Sequence, residues 1–290
     1  MNLKTNNMFE EIKIVNPAEL ILPESVDFKS MYKDALIDAA EVIKPQPIAL
    51  SIGYTNYKGT NYPTPFGSYG DFSCIVGASK SKKTFFKSMI EASYIGGNSN
   101  LFCPSIKGHD TKDKYVVSFD TEQSTFHTQR VQRRVLEMVG ANYESYKTFS
   151  LRQYSPKERF DFIDWIVFES DMRDNIGLMS IDGYVDLVTD FNSLEQASGL
   201  TEKLLQWTAK GMMHCTGILH KNFGTAKPVG HVGSSVLKKA ETVVFINTED
   251  DITQAKCEYS RNIAFDDITF KIGNDWLPRE DLPEVNNNWL

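Results

Sequence analysis

Eight consecutive residues, Gly77-Ala78-Ser79-Lys80-Ser81-Lys82-Lys83-Thr84, carry the densest chemistry in this 290-residue chain. A first glycine, a four-residue spacer, a lysine and a hydroxyl residue follow one another as in a phosphate-binding P-loop. The loop's second glycine is missing, and Lys82 stands in its place. A helix starting near Lys82 leaves its first N–H groups unpaired, and these groups with the helix dipole make an anion site. In such a site Lys83 reaches the β- and γ-phosphates of ATP, and Thr84 places its hydroxyl on Mg²⁺. Phe85 completes the segment lying against the nucleotide. Lys82 is the objection, since glycine at that point opens dihedrals that lysine reaches only at a cost. The plainer alternative is a basic surface loop after a core strand.

Three further apolar runs end in polar residues, where ligands of open α/β sheets bind. Tyr115–Phe119 runs into Asp120-Thr121-Glu122-Gln123. A carboxylate there can hold an attacking water in line with the γ-phosphate, with Glu122 the candidate. Capping of the next helix is the alternative for Asp120 or Glu122. Gly177–Ile181 ends in Asp182, the Walker-B pattern that holds Mg²⁺, against a simple Asp182-Gly183 turn. Thr216–Leu219 ends in His220, either a sensor of the γ-phosphate or a structural histidine. Gly230-His231-Val232-Gly233-Ser234-Ser235 reads as a mobile nucleotide-responsive or nucleic-acid-facing loop, or as the cap of a short helix at Val236–Ala240. Arg261, between two late strands, is either a surface arginine or one that reaches a neighbouring subunit's nucleotide.

These positions require a particular set of elements. Apolar runs at Phe72–Val76, Tyr115–Phe119, Gly177–Ile181, Thr216–Leu219 and Thr242–Ile246 alternate with helical patterns near 84–95, 125–138, 156–173 and 201–215. Short, nearly unbroken apolar strands between helices predict an α/β fold with a mostly parallel sheet covered on both faces. Ala255–Ser260 and Asp267–Ile272 add an antiparallel edge. Residues 1–47 read as an N-terminal extension with one amphipathic helix over Phe28–Val42. The main domain spans 48–275, opening with Ile48–Ile52 and a Gly/Tyr/Asn/Pro-rich loop. A C-terminal tail follows at 276–290, and its stretch rich in Pro, Asn and acid, Pro278–Leu290, is expected to add nothing to the core.

Composition narrows the class. A formal net charge of −7, from 31 basic and 38 acidic side chains, excludes a surface coated in positive charge for nucleic acid, though not a local basic channel. No apolar run is long enough for a membrane span, and the polar start of the chain is unlike a signal peptide. Cys74, Cys103, Cys215 and Cys257 lack metal-ligand spacing and read as free thiols of a cytoplasmic protein.

Six segments in order give a resemblance: G-A-S-K-S-K-K-T at 77–84, V-V-S-F-D-T-E-Q-S at 116–124, L-M-S-I-D at 178–182, G-I-L-H-K-N at 217–222, G-H-V-G-S-S at 230–235 and Y-S-R-N at 259–262. Over residues 48–275 the chain resembles the RecA/DnaB-like P-loop ATPases, most closely the RepA-like branch of plasmid and mobile-element replication proteins. The resemblance implies a RecA-type core that gathers the loop, Glu122 and Asp182 around one ATP and Mg²⁺. It further implies Glu122 as the base, with Asp120 a second acid beside it. It makes His220 the γ-phosphate sensor and Arg261 an arginine finger acting in trans within a homo-oligomer, commonly a hexamer, on nucleic acid.

Three readings follow: an oligomeric ATPase that moves along or remodels nucleic acid, a nucleotide-responsive regulator or adaptor with little turnover, and a small-molecule kinase. The kinase would need an acceptor pocket, which the sequence does not locate.

Overall fold

The computed structural model describes residues 27–221 and 230–281. The extension before residue 27, Asn222 and the tail after residue 281 lie outside the described residues. The chain divides into two units, Met1–Pro45 and Gln46–Leu290. In the first, α1 (Phe28–Ala35) is capped by Asp27, whose carboxylate accepts from the Lys29 and Ser30 amides. It ends seven residues short of Val42, because Leu36 turns to an extended conformation. None of its residues is buried, so it lacks the packed face that sustains most helices beyond a few turns.

The second unit begins with β1 (Ile48–Tyr57), β2 (Thr60–Ser68) and β3 (Phe72–Gly77), followed by α2 (Lys83–Ile95), β4 (Ile106–Gly108), β5 (Tyr115–Asp120) and α3 (Thr125–Val139). Then come β6 (Tyr146–Ser150), α4 (Pro156–Phe168), β7 (Ile176–Asp182), α5 (Leu194–Gly211) and β8 (His214–His220). The chain closes with α6 (Gly230–Lys239), β9 (Thr242–Glu249), β10 (Ile252–Ser260), β11 (Ile268–Ile272) and β12 (Pro278–Glu280).

Nine strands form one sheet in the order β12-β11-β10-β9-β3-β8-β7-β5-β6. From β9 through β6 all neighbours are parallel, while β10, β11 and β12 pair antiparallel. The chain leaves β3, skips two places to β5 and β6, then returns through β7 and β8 and passes β3 to reach β9. That reversal opens a crevice at the carboxyl ends beside β3. Ile75, Val116, Leu178, Ile218 and Val244 face one core with α2 and α3. Cys74, Val76, Val117, Phe119, Met179 and Ile181 face the other with α4 and α5. Burial on both faces is why these strands read as unbroken apolar runs.

Several expectations change. The segment expected as a loop after Ile52 is mostly strand: β1 and β2 form a hairpin whose two-residue turn, Lys58 and Gly59, has both φ values positive. α4 stops at Phe168, five residues early, where Ser170 bonds back to the Ile166 carbonyl. α5 starts seven residues early behind a Ser193 cap and ends before Met212, whose φ is 44°. The start of the tail does join the core, since Pro278 is buried and β12 pairs with β11. All four cysteines are free, three of them buried.

Candidate functional site

Glycine at position 77 is set by space. A Cβ there would collide with Ser81 Oγ and meet the Ile246 carbonyl at 2.8 Å. Lys82, the helix N-cap, adopts the left-handed conformation (φ 65°, ψ 23°) that the missing glycine would take without strain, and Lys80 is left-handed too, at φ 64°. Each such residue costs about 1–2 kcal/mol. Lysine thus takes here the left-handed conformation that glycine adopts freely. Lys83 folds onto it, its Nζ 3.1 Å from the Gly77 carbonyl and 2.6 Å from the Ala78 carbonyl. Burial pushes the Lys83 ammonium down, against the attraction of Asp182 and Glu122.

β3 and β8 align Gly77 with His220, and β5 and β7 align Asp120 with Asp182. The Thr84 hydroxyl donates to Asp182 Oδ2 at 3.0 Å. Burial, reinforced by Asp120 and Glu122, raises the Asp182 carboxyl to about 6 against the pull of Lys87 and Thr84. Glu122 Oε1 and His220 Nε2 lie 2.8 Å apart, and this hydrogen bond is the main reason the Glu122 carboxyl is held low. Asp120 is used otherwise: Oδ1 accepts from the Glu122 and Gln123 amides, and Oδ2 from Thr128. It caps the turn that presents Glu122.

Together these groups line one cleft of about 320 Å³, bounded by Ser79–Phe85, Glu122, Gln123, Val131, Arg134, Asp182 and His220. Its donor set fits a magnesium–nucleotide complex: a hydroxyl beside a carboxylate for the cation, and a lysine with helix N-terminal amides for phosphate. The buried Ser81 hydroxyl has no partner among the described residues, which leaves it for a phosphate oxygen.

Arg261 lies elsewhere. It donates to Asp71 Oδ2 at 2.7 Å and to the Lys239 carbonyl. Asp71 precedes β3 and Gly77 ends it, which places this pair about 20 Å from the loop within the same chain. Gly230–Ser235 forms the first turns of α6.

Sequence reasoning passed over Lys87 and Glu91. They form a fully buried pair at 3.2 Å on α2, against the sheet, with Lys87 also on Ser118 and Glu91 on Tyr146 and Ser180. Burial alone would lower the Lys87 ammonium, but Glu91, Asp182 and Asp120 together raise it. The available signal was two opposite charges four residues apart on a helix whose neighbouring positions, Phe86, Met89, Ile90 and Ala92, are apolar. Gln123, Val131 and Arg134 were missed as well.

No family model matches the chain, and no curated protein matches it. Among solved structures, a crystal structure of the RadB recombinase aligns with a TM-score of 0.52 at 16% identity, over 75% of this chain and 94% of that one. The chain shares that recombinase's RecA-like fold. A mostly parallel sheet with antiparallel edge strands is thus common to both, as the sequence pattern predicts. At this identity the likeness concerns the fold, and it does not reach to the RepA-like branch. Among the described residues no helix is long and apolar enough to cross a membrane.

Proposed function

We propose that the chain binds ATP with Mg²⁺ in the cleft beside β3 and hydrolyses it while acting on nucleic acid. The observation that carries this reading is the convergence of Lys83, Thr84, Asp182, Glu122 and His220 on one cleft, from four separate strand ends. The backbone of Gly77, Ala78, Ser79, Lys80, Ser81 and Lys82 cradles the phosphates, with Phe85 beside them. Lys83 leaves the loop carbonyls and neutralises phosphate charge. Thr84 and Asp182 hold the cation, which spreads charge off the transferred phosphoryl group. Glu122 positions the attacking water, and His220 fixes the Glu122 rotamer. Positioning and charge stabilisation supply most of the rate gain.

Arg261 takes no part in its own subunit's site in this reading. A role in trans requires a homo-oligomer, such as the hexamer, and release of Asp71. Mixing Arg261→Ala subunits with active-site-dead subunits tests it. The RepA-like and mobile-element assignments belong to this proposal and rest on the ordered sequence motifs, and the cytoplasmic location belongs to it too and rests on the free thiols.

A second reading, a nucleotide-responsive regulator with little turnover, is favoured by two contacts. His220 already occupies Glu122, and Lys83 already occupies the loop carbonyls. Hydrolysis measured with and without single-stranded DNA separates the two. DNA-stimulated turnover lost in Glu122→Gln supports the ATPase, and saturable ATP binding without turnover supports the regulator.

A further inference from the structure

The β1–β2 hairpin belongs to a separate three-stranded sheet, β2-β1-β4, and the loop cleft makes no use of it. Its Tyr54, Tyr57 and Tyr62 side chains are each more than half exposed. Thr55 pairs with Tyr62 and Tyr57 with Thr60, so Tyr57 and Tyr62 are diagonal neighbours on one face. Such neighbours lie about 7–8 Å apart at the backbone, a gap that admits one flat ring between two others. On the same face the Thr55 and Thr64 hydroxyls bond at 2.7 Å and tie the strands together.

The tip of the hairpin is held in place. Lys58 (φ 51°) fills a turn position that glycine or asparagine takes more readily. Asn56 Oδ1 accepts from the Gly59 amide at 3.2 Å, and the Asn56 side-chain amide donates to Asn61 at 2.9 Å. The Lys58 ammonium stands 5.1 Å from the centre of the Tyr57 ring.

Tyr57 and Tyr62 form one wall of a groove of about 680 Å³, and Arg261, Asn262 and Ile263, in the loop after β10, form the other. That second wall is fastened too. Arg261 donates to Asp71, and Asn262 to Glu241, which also accepts from the Ser68 amide and hydroxyl. Among the described residues the groove lining holds no acidic side chain, and none occurs in the sequence between Glu41 and Asp71. The charges on the two walls, Lys58 and Arg261, are both cationic. In a chain of net charge −7, exposed tyrosines with cations and no acid suit an anionic polymer with flat rings better than a neutral peptide.

We propose that this groove binds a single strand of nucleic acid, with its bases stacked on Tyr57 and Tyr62 and its phosphates against Lys58. Unpaired bases offer their faces to the rings, whereas a duplex covers them with its own stack. Asp71 marks the end of β3 away from the phosphate loop, so strand and nucleotide occupy separate sites. This inference rests on the reading that the protein acts on nucleic acid, and it deepens that reading by naming the surface.

Fluorescence anisotropy of labelled oligothymidylate, oligouridylate and a duplex of the same length tests it on the full chain. The variants are Tyr57→Ala/Tyr62→Ala, Tyr57→Phe/Tyr62→Phe and Lys58→Gln. The wild type binds at least one of the single strands, and binds it more tightly than the duplex. The alanine pair weakens that strand by roughly ten-fold or more, and the phenylalanine pair keeps most of the affinity, because stacking needs the ring and not the hydroxyl. Lys58→Gln flattens the dependence of log affinity on log salt by about 0.7. ATP affinity and the thermal midpoint stay at wild-type values in all three, since none of these residues lines the loop cleft. An alanine pair that binds the strand as the wild type does overturns the groove as its site, hands the groove to another occupant such as a peptide, and leaves the nucleic-acid reading standing. Equal losses in the alanine and phenylalanine pairs overturn the stacking, as does a duplex bound as tightly as the single strand. A wild type that binds neither single strand, with or without Mg-ATP, overturns the nucleic-acid reading and the groove with it.

Discussion

Glu122 Oε1 lies 2.8 Å from His220 Nε2, and the two residues arrive from the ends of β5 and β8. The pair fixes the carboxylate at the mouth of the loop cleft and keeps it ionised. A carboxylate that positions water contributes about 10²–10⁴-fold to rate. Glu122→Gln is therefore expected to lower ATP turnover by at least about a hundred-fold, with ATP affinity retained. His220→Ala loosens the Glu122 rotamer but keeps the proposed water-positioning carboxylate, and its loss is expected to be smaller. Steady-state hydrolysis beside equilibrium binding checks both, and equal losses in the two variants would place the chemistry on His220.

Lys82 holds a conformation meant for glycine. Relief of left-handed strain gains about 1–2 kcal/mol, and glycine's extra chain entropy returns roughly 0.5–1 of that. Lys82→Gly is expected to raise stability by about 0.5–1 kcal/mol and to leave nucleotide binding intact or tighter. The β-branched Lys82→Val is expected to lower both. Chemical denaturation beside ATP titration reads the two effects, and a destabilised Lys82→Gly would mean that the lysine side chain is a ligand of the loop.

The parts of the fold legible in the sequence are those where one rule acts alone. β3, β5, β7, β8 and β9 are buried on both faces, so their apolar runs needed no partner to be seen. The residues closing them, Asp120, Asp182 and His220, then fell at the crevice by topology. The β1–β2 hairpin escaped because its turn is Lys58-Gly59 rather than an Asn-Gly or Asp-Gly signal, and because Pro63 and Pro65 are tolerated only at a sheet edge. The Arg130–Trp276 contact joins residues nearly 150 positions apart, and no local period encodes such a pairing. Glu122 is the candidate base in the sequence, with Asp120 a second acid beside it, and only the folded backbone shows that the Asp120 carboxylate accepts from the Glu122 and Gln123 amides.

The Lys87–Glu91 pair sits where neither charge can reach water. Removing one member strands the other, which costs about 3–5 kcal/mol, whereas replacing both with apolar side chains of similar volume is near neutral. Lys87→Met is expected to destabilise the protein by that amount, and Lys87→Met/Glu91→Leu to recover most of it. Urea unfolding of the wild type, Lys87→Met, Glu91→Leu and the double variant forms the cycle. A double variant as weak as Lys87→Met would show that the Ser118, Ser180 and Tyr146 hydroxyls, rather than the unpaired charge, set the loss.

His214 opens β8 with its ring fully buried, Nε2 2.9 Å from Ser73 Oγ and Nδ1 3.1 Å from the Ser68 carbonyl. These partners are satisfied by a neutral ring that donates from Nδ1 and accepts at Nε2. Burial lowers its pKa from 6.5 to about 4, against smaller opposing pulls from the Ser68 carbonyl and Asp71. Between those values the unfolded chain binds a proton that the folded chain refuses, so stability rises with pH across the window. The contribution is complete above about 6.5 and lost as pH falls to about 4, amounting to roughly 3 kcal/mol at 1.36 kcal/mol per pH unit. His214→Gln lowers stability at every pH, because Gly67 packs directly against the ring. The informative quantity is the slope: urea midpoints between pH 4 and 6.5 should fall less steeply in the variant than in the wild type. Parallel slopes would mean that His214 protonates in the folded state and that the Ser73 contact survives as a donor–acceptor pair of the opposite sense.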